Sequence, residues 1–352
     1  MSSSASTSPS EGRVVEDSVI EGYVAESPVA RGPSSKGMTR HSGASSISGL
    51  LLIDKPVGIS SASVVSRARK QLGIKRIGHA GTLDPLATGL LVLLVGNATR
   101  LASYAESGFK EYEIEILLGG TTTTDDTEGE TLTTAPVNCS AEQVMQELAL
   151  FQGTLHQIPP QVSAIKVNGE RAYDRARRGE STELAAREVT IHSIALVEIS
   201  LPRIRARIQC TKGTYMRSIA RDLGEKLGCG GCISSIRRTM SAPFSVGEAV
   251  TLENLNTESL VSWTRLFPKA QECLVEEREA QQLLNGNTSI LSSGVGPMAS
   301  GRLRSPEEAG SGLAIYRRGA AAAAPSLSEV PLGLLVFRDG RWTIGVNVVT
   351  GG

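Results

Sequence analysis

Two stretches of strict alternation constrain the fold of this chain more than any other feature. Along Lys110–Gly119, Tyr112, Ile114 and Ile116 fall on one side and Glu111, Glu113 and Glu115 on the other. Along Arg203–Cys210, Ile204, Ala206, Ile208 and Cys210 face away from Arg203, Arg205, Arg207 and Gln209. Such period-two patterns predict strands with one buried and one wet face, typical of antiparallel sheets rather than doubly covered parallel ones. An apolar strand at Leu50–Ile53 leads through the turn Asp54-Lys55-Pro56-Val57-Gly58 to a helix capped by Ser60 or Ser61. Val64, Val65, Ala68 and Leu72 share its face and Gly73 ends it. A second capped helix follows Ser140 through Val144, Leu148 and Phe151, and a third spans about Ser218–Leu227 after a turn at Gly213. No regular βαβ repeat joins these elements, so the expected class is α+β around a largely antiparallel sheet.

With 352 residues, the chain has room for two domains or for one large domain with appendages. Residues 1–48 are rich in Ser, Gly and Pro without apolar periodicity and read as a disordered tail. Glu11, Glu16, Asp17, Glu21 and Glu26 make that tail more acidic than transit peptides usually are. The expectation is a cytoplasmic protein, with a plastid or mitochondrion as the alternative if the tail is a transit peptide. Order weakens after Val275: an Ala run at 320–324 lies in a low-complexity insert over about 288–328. Only Leu332–Val349, with Asp339-Gly340 as hairpin turn, reads as β structure there. The longest aliphatic run, Leu90–Val95, is far short of the roughly 20 residues a membrane helix needs, so no membrane partner is expected. Five cysteines and no secretory signal point to a reducing compartment without a disulfide framework.

Chemistry concentrates in Gly78-His79-Ala80-Gly81-Thr82-Leu83-Asp84-Pro85-Leu86-Ala87-Thr88-Gly89. Pro85 pushes Asp84 out of helical space, and the glycines at 81 and 89 bracket a loop that presents its carboxylate. An Asx-turn is the ordinary reading of an isolated Asp-Pro. Arg217, at the start of a predicted helix, opposes the helix dipole and calls for an anionic partner. Cys229-Gly230-Gly231-Cys232 has no second C-x-x-C or paired histidines, so its glycines read as a helix terminator rather than half of a zinc site. The four histidines are too widely spread for metal-ligand spacing, and no metal is expected. Lys plus Arg and Asp plus Glu both total 36, which argues against a basic nucleic-acid coat. Yet Lys166–Arg238 holds 15 basic against 8 acidic residues, a surplus suited to phosphate contacts.

Taken together, the Gly78–Gly89 segment, Asp54-Lys55-Pro56, Lys110-Glu111-Tyr112, Thr122 through Asp126 to Gly129, Pro159-Pro160-Gln161-Val162-Ser163-Ala164, Lys212-Gly213-Thr214-Tyr215-Met216-Arg217, and Leu223-Gly224 through Gly228-Cys229 resemble the TruB family of pseudouridine synthases. The resemblance runs from about Gly49 to Leu252. It implies a pseudouridine synthase fold, with a central mostly antiparallel mixed sheet flanked by helices and a small degenerate C-terminal PUA-like β unit. The implied domains are 49–272 for catalysis and 273–352 for that unit. The implied reaction isomerises a uridine in the T-loop of tRNA by base flipping, with no cofactor. The implied partner is the T-arm stem-loop, met by a monomer without an obligatory protein partner. Asp84 would be the catalytic carboxylate, as nucleophile on the ribose or as base at the adjacent sugar carbon. Arg217 would hold it charged, and Tyr112 would stack on the extruded uracil with its hydroxyl able to help remove the C5 proton. His79 would position the substrate, Lys55 and Pro56 would brace the catalytic loop, and Tyr215 and Ile236 would line the site. Thr123 stands where many relatives have an acidic residue, which leaves Asp126 as the supporting carboxylate. Arg171, Arg175, Arg177, Arg178, Lys212, Arg237 and Arg238 are the candidate phosphate contacts. A tRNA-binding or folding factor with secondary catalysis is the alternative reading. A guide-RNA-dependent relative is another, against which the absence of Lys-rich tails speaks.

Overall fold

A computed structural model of the chain describes residues 47–163, 166–167, 170–171, 184–288, 291, 303, 312–318, 330–338 and 341–348. The alternating segments form adjacent strands, β4 (Lys110–Leu118) and β11 (Arg203–Cys210), antiparallel with Ile204 opposite Ile116, Ala206 opposite Ile114 and Ile208 opposite Tyr112. They lie within a nine-stranded mixed sheet of order β1-β3-β12-β4-β11-β10-β7, with β2 on β3 and β13 on β12. Its other members are β1 (Gly49–Lys55), β2 (Ile77–Ala80), β3 (Thr88–Val95), β7 (Gly153–Gln157), β10 (Arg187–Ser200), β12 (Gly231–Ser241) and β13 (Phe244–Ser245). Short pairs β5 (Gly120–Thr122) with β6 (Thr131–Thr134), and β8 (Lys166–Val167) with β9 (Glu170–Arg171), stand outside it.

Helices α1 (Ser61–Leu72), α2 (Ala102–Ser107), α3 (Ala141–Ala149) and α4 (Met216–Lys226) accompany this sheet. Ser60 caps α1 by accepting from Ser63 N, Gly73 ends it at φ +68°, and Ser140 and Gln143 form a capping box on α3. α3 stops at Ala149, before Phe151, and α4 starts at Met216, two residues earlier than the sequence suggests. The apolar faces of α1, α3 and α4 close on the inner face of the sheet, where Ile53, Ile114, Ile116, Ala206, Ile208, Ile219 and Leu223 share one core. The outer face of β4 and β11 is a ladder of cross-strand pairs, among them Arg203–Glu115 at 2.5 Å and Arg207–Glu113 at 2.7 Å.

β1 and β3 differ because both of their faces are covered, which is why they read as continuous apolar runs. On the side away from the first core, Leu50, Leu52, Leu90, Val92 and Leu94 pack with Phe244, Trp263 and Phe267, and with Leu334, Val336 and Val348 from the C-terminal unit. That unit is a four-stranded sheet, β14 (Gln271–Val275), β15 (Leu313–Arg318), β16 (Val330–Arg338) and β17 (Arg341–Asn347), with helix α5 (Glu277–Leu284). β15 falls inside the segment expected to be a low-complexity insert: Ala314, Ile315 and Tyr316 are buried among Gly- and Ser-rich flanks that hide them in the sequence. Arg338 pairs with Arg341 across the expected hairpin, whose Asp339 and Gly340 lie outside the described residues, as does the tail before residue 47.

One joint of the main sheet brings the conspicuous residues together. β12 runs parallel to β3 over Arg237–Thr88 and Arg238–Gly89, while its other edge is antiparallel to β4, with Arg238 opposite Tyr112 and Ile236 opposite Ile114. The end of the Asp84 loop and the inward residues of β4 are thereby held against one strand. Gly89 makes the approach possible: its φ is +93°, and a Cβ there would stand 2.3 Å from the Arg238 carbonyl oxygen.

Candidate active site

The Gly81–Asp84 loop, the inward side of β4, the start of β10, the Lys212–Arg217 turn and the middle of β12 enclose a cavity of about 690 Å³. Asp84, Tyr112, Lys212, Tyr215, Arg217 and Ile236, all expected at the site, line it together.

Asp84 is half-buried, its side chain 37% exposed, and its Oδ2 lies 2.8 Å from Nη2 of Arg217. Arg217, in the first turn of α4, is buried, so a cation faces the unfavourable end of the helix dipole out of water. Its surroundings compensate. Nη1 donates to Thr124 O at 2.8 Å and lies 3.5 Å from Asp126 Oδ2, and Nη2 also donates to Val162 O at 2.9 Å. Asp126, itself buried, accepts at Oδ1 from Thr124 Oγ1 at 2.5 Å and from Glu128 N at 3.1 Å. One guanidinium thus sits between two carboxylates, one facing the cavity and one inside the protein.

The loop carrying Asp84 is pinned from beneath. Lys55 is fully buried, and its Nζ donates to Pro56 O at 2.9 Å, Ile59 O at 2.7 Å and Pro85 O at 3.2 Å; burial brings its pKa down to about 8. Pro56 itself is exposed and contributes its carbonyl. Ser61 Oγ donates to Leu83 O at 3.0 Å and accepts from Leu83 N at 2.8 Å, adding a brace absent from the sequence reading.

Burial pushes the Tyr112 hydroxyl pKa up, opposed by the neighbouring Arg238 guanidinium. Tyr215 caps the N-terminal end of α4 with its backbone, bracketed by Gln157 through Nε2 to Tyr215 O at 3.1 Å and Tyr215 N to Oε1 at 2.8 Å. Burial raises its hydroxyl pKa as well. Ile236 supplies an apolar wall, and Lys212 is exposed at the rim with Arg187.

Several expected contacts lie elsewhere. His79 is half-buried on β2 and is not among the cavity residues. Arg175, Arg177 and Arg178, and the side chain of Arg171, lie outside the described residues. Arg238 is a correction: it is 1% exposed and cannot meet a phosphate from the surface. Arg237 is held bidentate by Asp54 at 3.0 and 2.8 Å, and Arg203, Arg205 and Arg207 pair with glutamates, which absorbs much of the local basic surplus. Cys229 and Cys232 are buried where α4 turns back into β12, and among the described residues no His, Cys, Asp or Glu group is placed to hold a metal.

Lys110 is the main residue that the site reading missed. It lies on the inward face of β4 two positions before Tyr112, so the same periodicity points to it. Burial lowers its pKa to about 7, and Nζ donates to Gly108 O at 2.8 Å and Glu106 O at 3.2 Å. Glu106 and Gln157 give no comparable signal, because each is brought in by a distant element.

A family model described as TruB family pseudouridylate synthase (N terminal domain) matches residues 69–216, and one described as tRNA pseudouridylate synthase B C-terminal domain matches residues 217–271. The tRNA pseudouridine synthase B of Thermobifida fusca is 43% identical over 264 residues, spanning 71% of this chain and 89% of its own. That of Ruegeria pomeroyi is 38% identical over 291 residues, spanning 80% and 96%. Among solved structures, the crystal structure of a Cbf5-Nop10-Gar1 complex shares the fold with a TM-score of 0.58 at 20% identity, over 86% of this chain and 85% of that one. On these matches, the chain belongs to the TruB family of pseudouridylate synthases.

Proposed function

We propose that this chain converts a uridine in the T-loop of tRNA to pseudouridine, with Asp84 as the catalytic carboxylate. The observation that carries the reading is the Asp84–Arg217 pair, 2.8 Å apart at the wall of a cavity that also presents Tyr112. At about 690 Å³, the cavity falls within the range of ligand pockets and admits a flipped-out nucleoside. The reaction breaks the N1–C1′ bond, turns the uracil, joins C5 to C1′ and releases the C5 proton. It is an isomerisation with no net redox change, so acid–base and covalent groups suffice. Asp84 is exposed enough to meet the ribose, as nucleophile at C1′ or as base at the neighbouring carbon, while Arg217 orients it. Tyr112 and Ile236 sandwich the base, Tyr215 closes the site, and Lys212 meets a phosphate at the rim. Lys55 and Pro56 brace the loop and Asp126 holds the far side of Arg217. His79 contacts the RNA outside the cavity, and Arg177 and Arg178 serve as phosphate contacts.

The same reading assigns catalysis to residues 49–272 and a PUA-like role to 273–352, in a monomeric cytoplasmic enzyme that needs no protein partner. Among the described residues no helix is long and apolar enough to cross a membrane. The test is to incubate purified protein with an unmodified T-arm transcript and map pseudouridine by mass spectrometry or carbodiimide. The expected result is one modified uridine in the loop; an unmodified transcript overturns the proposal.

A further inference from the structure

Arg238 carries a buried charge that the assigned roles leave unexplained. Its Nε donates to Leu90 O at 2.7 Å and its Nη2 to Gly81 O at 3.1 Å, contacts that flank the Asp84 loop on both sides. Tyr112 stands directly across the β12–β4 register from Arg238, on the same wall of the cavity. Both carbonyl partners and the facing tyrosine are uncharged, and among the described residues no carboxylate is ion-paired with Arg238. Lys110, on the same face of β4, adds further positive charge when it is protonated. A buried cation held only by neutral groups has a desolvation cost that an apolar side chain of similar length would avoid. Both Arg238 and Tyr112 line the cavity, so the guanidinium acts on the site rather than on the core alone.

An arginine can only donate hydrogen bonds, so toward the facing Tyr112 hydroxyl it presents donors alone and favours an O–H turned into the cavity. We propose that Arg238 is a positioning residue for the isomerisation: held in place by Leu90 O and Gly81 O, its guanidinium turns and polarises the facing Tyr112 hydroxyl toward the flipped uracil. The inference rests on the proposed function above, in which that cavity receives the uridine. When the N1–C1′ bond breaks, its electron pair leaves with the uracil and spreads to the carbonyl oxygens. A hydroxyl already aimed at the base, and polarised by a neighbouring cation, stabilises that charge without reorganising.

The test is a double-mutant cycle in the full chain: Arg238→Lys, Tyr112→Phe and both together. It is scored by pseudouridine formation on T-arm RNA with kcat and KM separated, and Tm is recorded for each variant. Arg238→Lys keeps the charge but lacks the fork that donates to Leu90 O and Gly81 O while facing Tyr112. Alone it is expected to lower kcat about 10-fold or more with KM within about threefold; added to Tyr112→Phe it should change kcat by less than about twofold. Equal losses in both backgrounds overturn the proposal, and so does a lowered Tm with unchanged kcat. Should Arg238→Lys fail to fold, Arg238→Met, which removes the buried charge, replaces it under the same scoring. If the unsubstituted chain forms no pseudouridine, the proposed function fails; if it does and the cycle is additive, only this inference fails.

Discussion

Lys110 shows how a single buried amine ties the site to pH. Its pKa falls from 10.5 to about 7, chiefly through burial, with Arg238 adding repulsion. Between those values the unfolded chain binds a proton that the folded chain does not, so this group makes stability rise with pH across about 7 to 10.5. Lys110→Met removes that contribution. The Tm of the variant relative to the parent should therefore be highest below pH 7 and decline as pH climbs toward 10.5, a trend that scanning calorimetry at four or five pH values would show. A Tm difference independent of pH would mean that Lys110 is not desolvated. Legibility at this scale followed geometry. The periodicity that placed Tyr112 inward also placed Lys110 there, and the helix-dipole argument found the need of Arg217 for a carboxylate. Arg238 was misplaced because charge alone suggests surface, and nothing local says that β12 runs through the middle of the sheet.

At the scale of elements, the site depends on how closely α4 closes on β12. Gly224 on the helix meets the Gly230-Gly231 turn, and a Cβ at Gly224 would lie 2.2 Å from Gly230 C and Gly231 N. The glycines of the C-x-x-C segment are thus explained by backbone contact, with Gly228 and Gly230 at φ +72° and +73°. Gly224→Ala must push α4 outward, and α4 carries Arg217. The variant is expected to lose about 1–3 kcal/mol of stability and to lower activity through the displaced guanidinium, measured by denaturant unfolding and turnover. Wild-type activity in a folded variant would show that the helix position does not matter. Strands with one wet face were readable from alternation, and α1 and α3 from their caps. The start of α4 was not, because Tyr215, the residue just before it, is held by a tertiary contact with Gln157.

For the whole molecule, the second core is decisive, because Leu50, Leu52, Leu90 and Val92 share it with Leu334, Val336 and Val348. A chain joined in this way should unfold as one unit. The two tryptophans report on its parts: Trp263 packs in the shared core and Trp342 in the C-terminal sheet. Leu334→Ala should cost about 2–5 kcal/mol and lower the unfolding midpoint seen by Trp263 fluorescence as much as that seen by Trp342. Separate midpoints would mean that the C-terminal sheet is an independent appendage. The sequence hid this arrangement, since the continuous apolar runs of β1 and β3 show that both faces are covered but not which segment covers them.

In the proposed reaction one carboxylate, Asp84, performs the chemistry, and RNA binding does not depend on its charge. Single-turnover conversion and equilibrium binding of a T-arm RNA, compared between the parent and Asp84→Asn, test it most directly. Conversion should fall by at least about 1000-fold with Kd within about threefold. Pseudouridine formed by Asp84→Asn at a rate near that of the parent would contradict it.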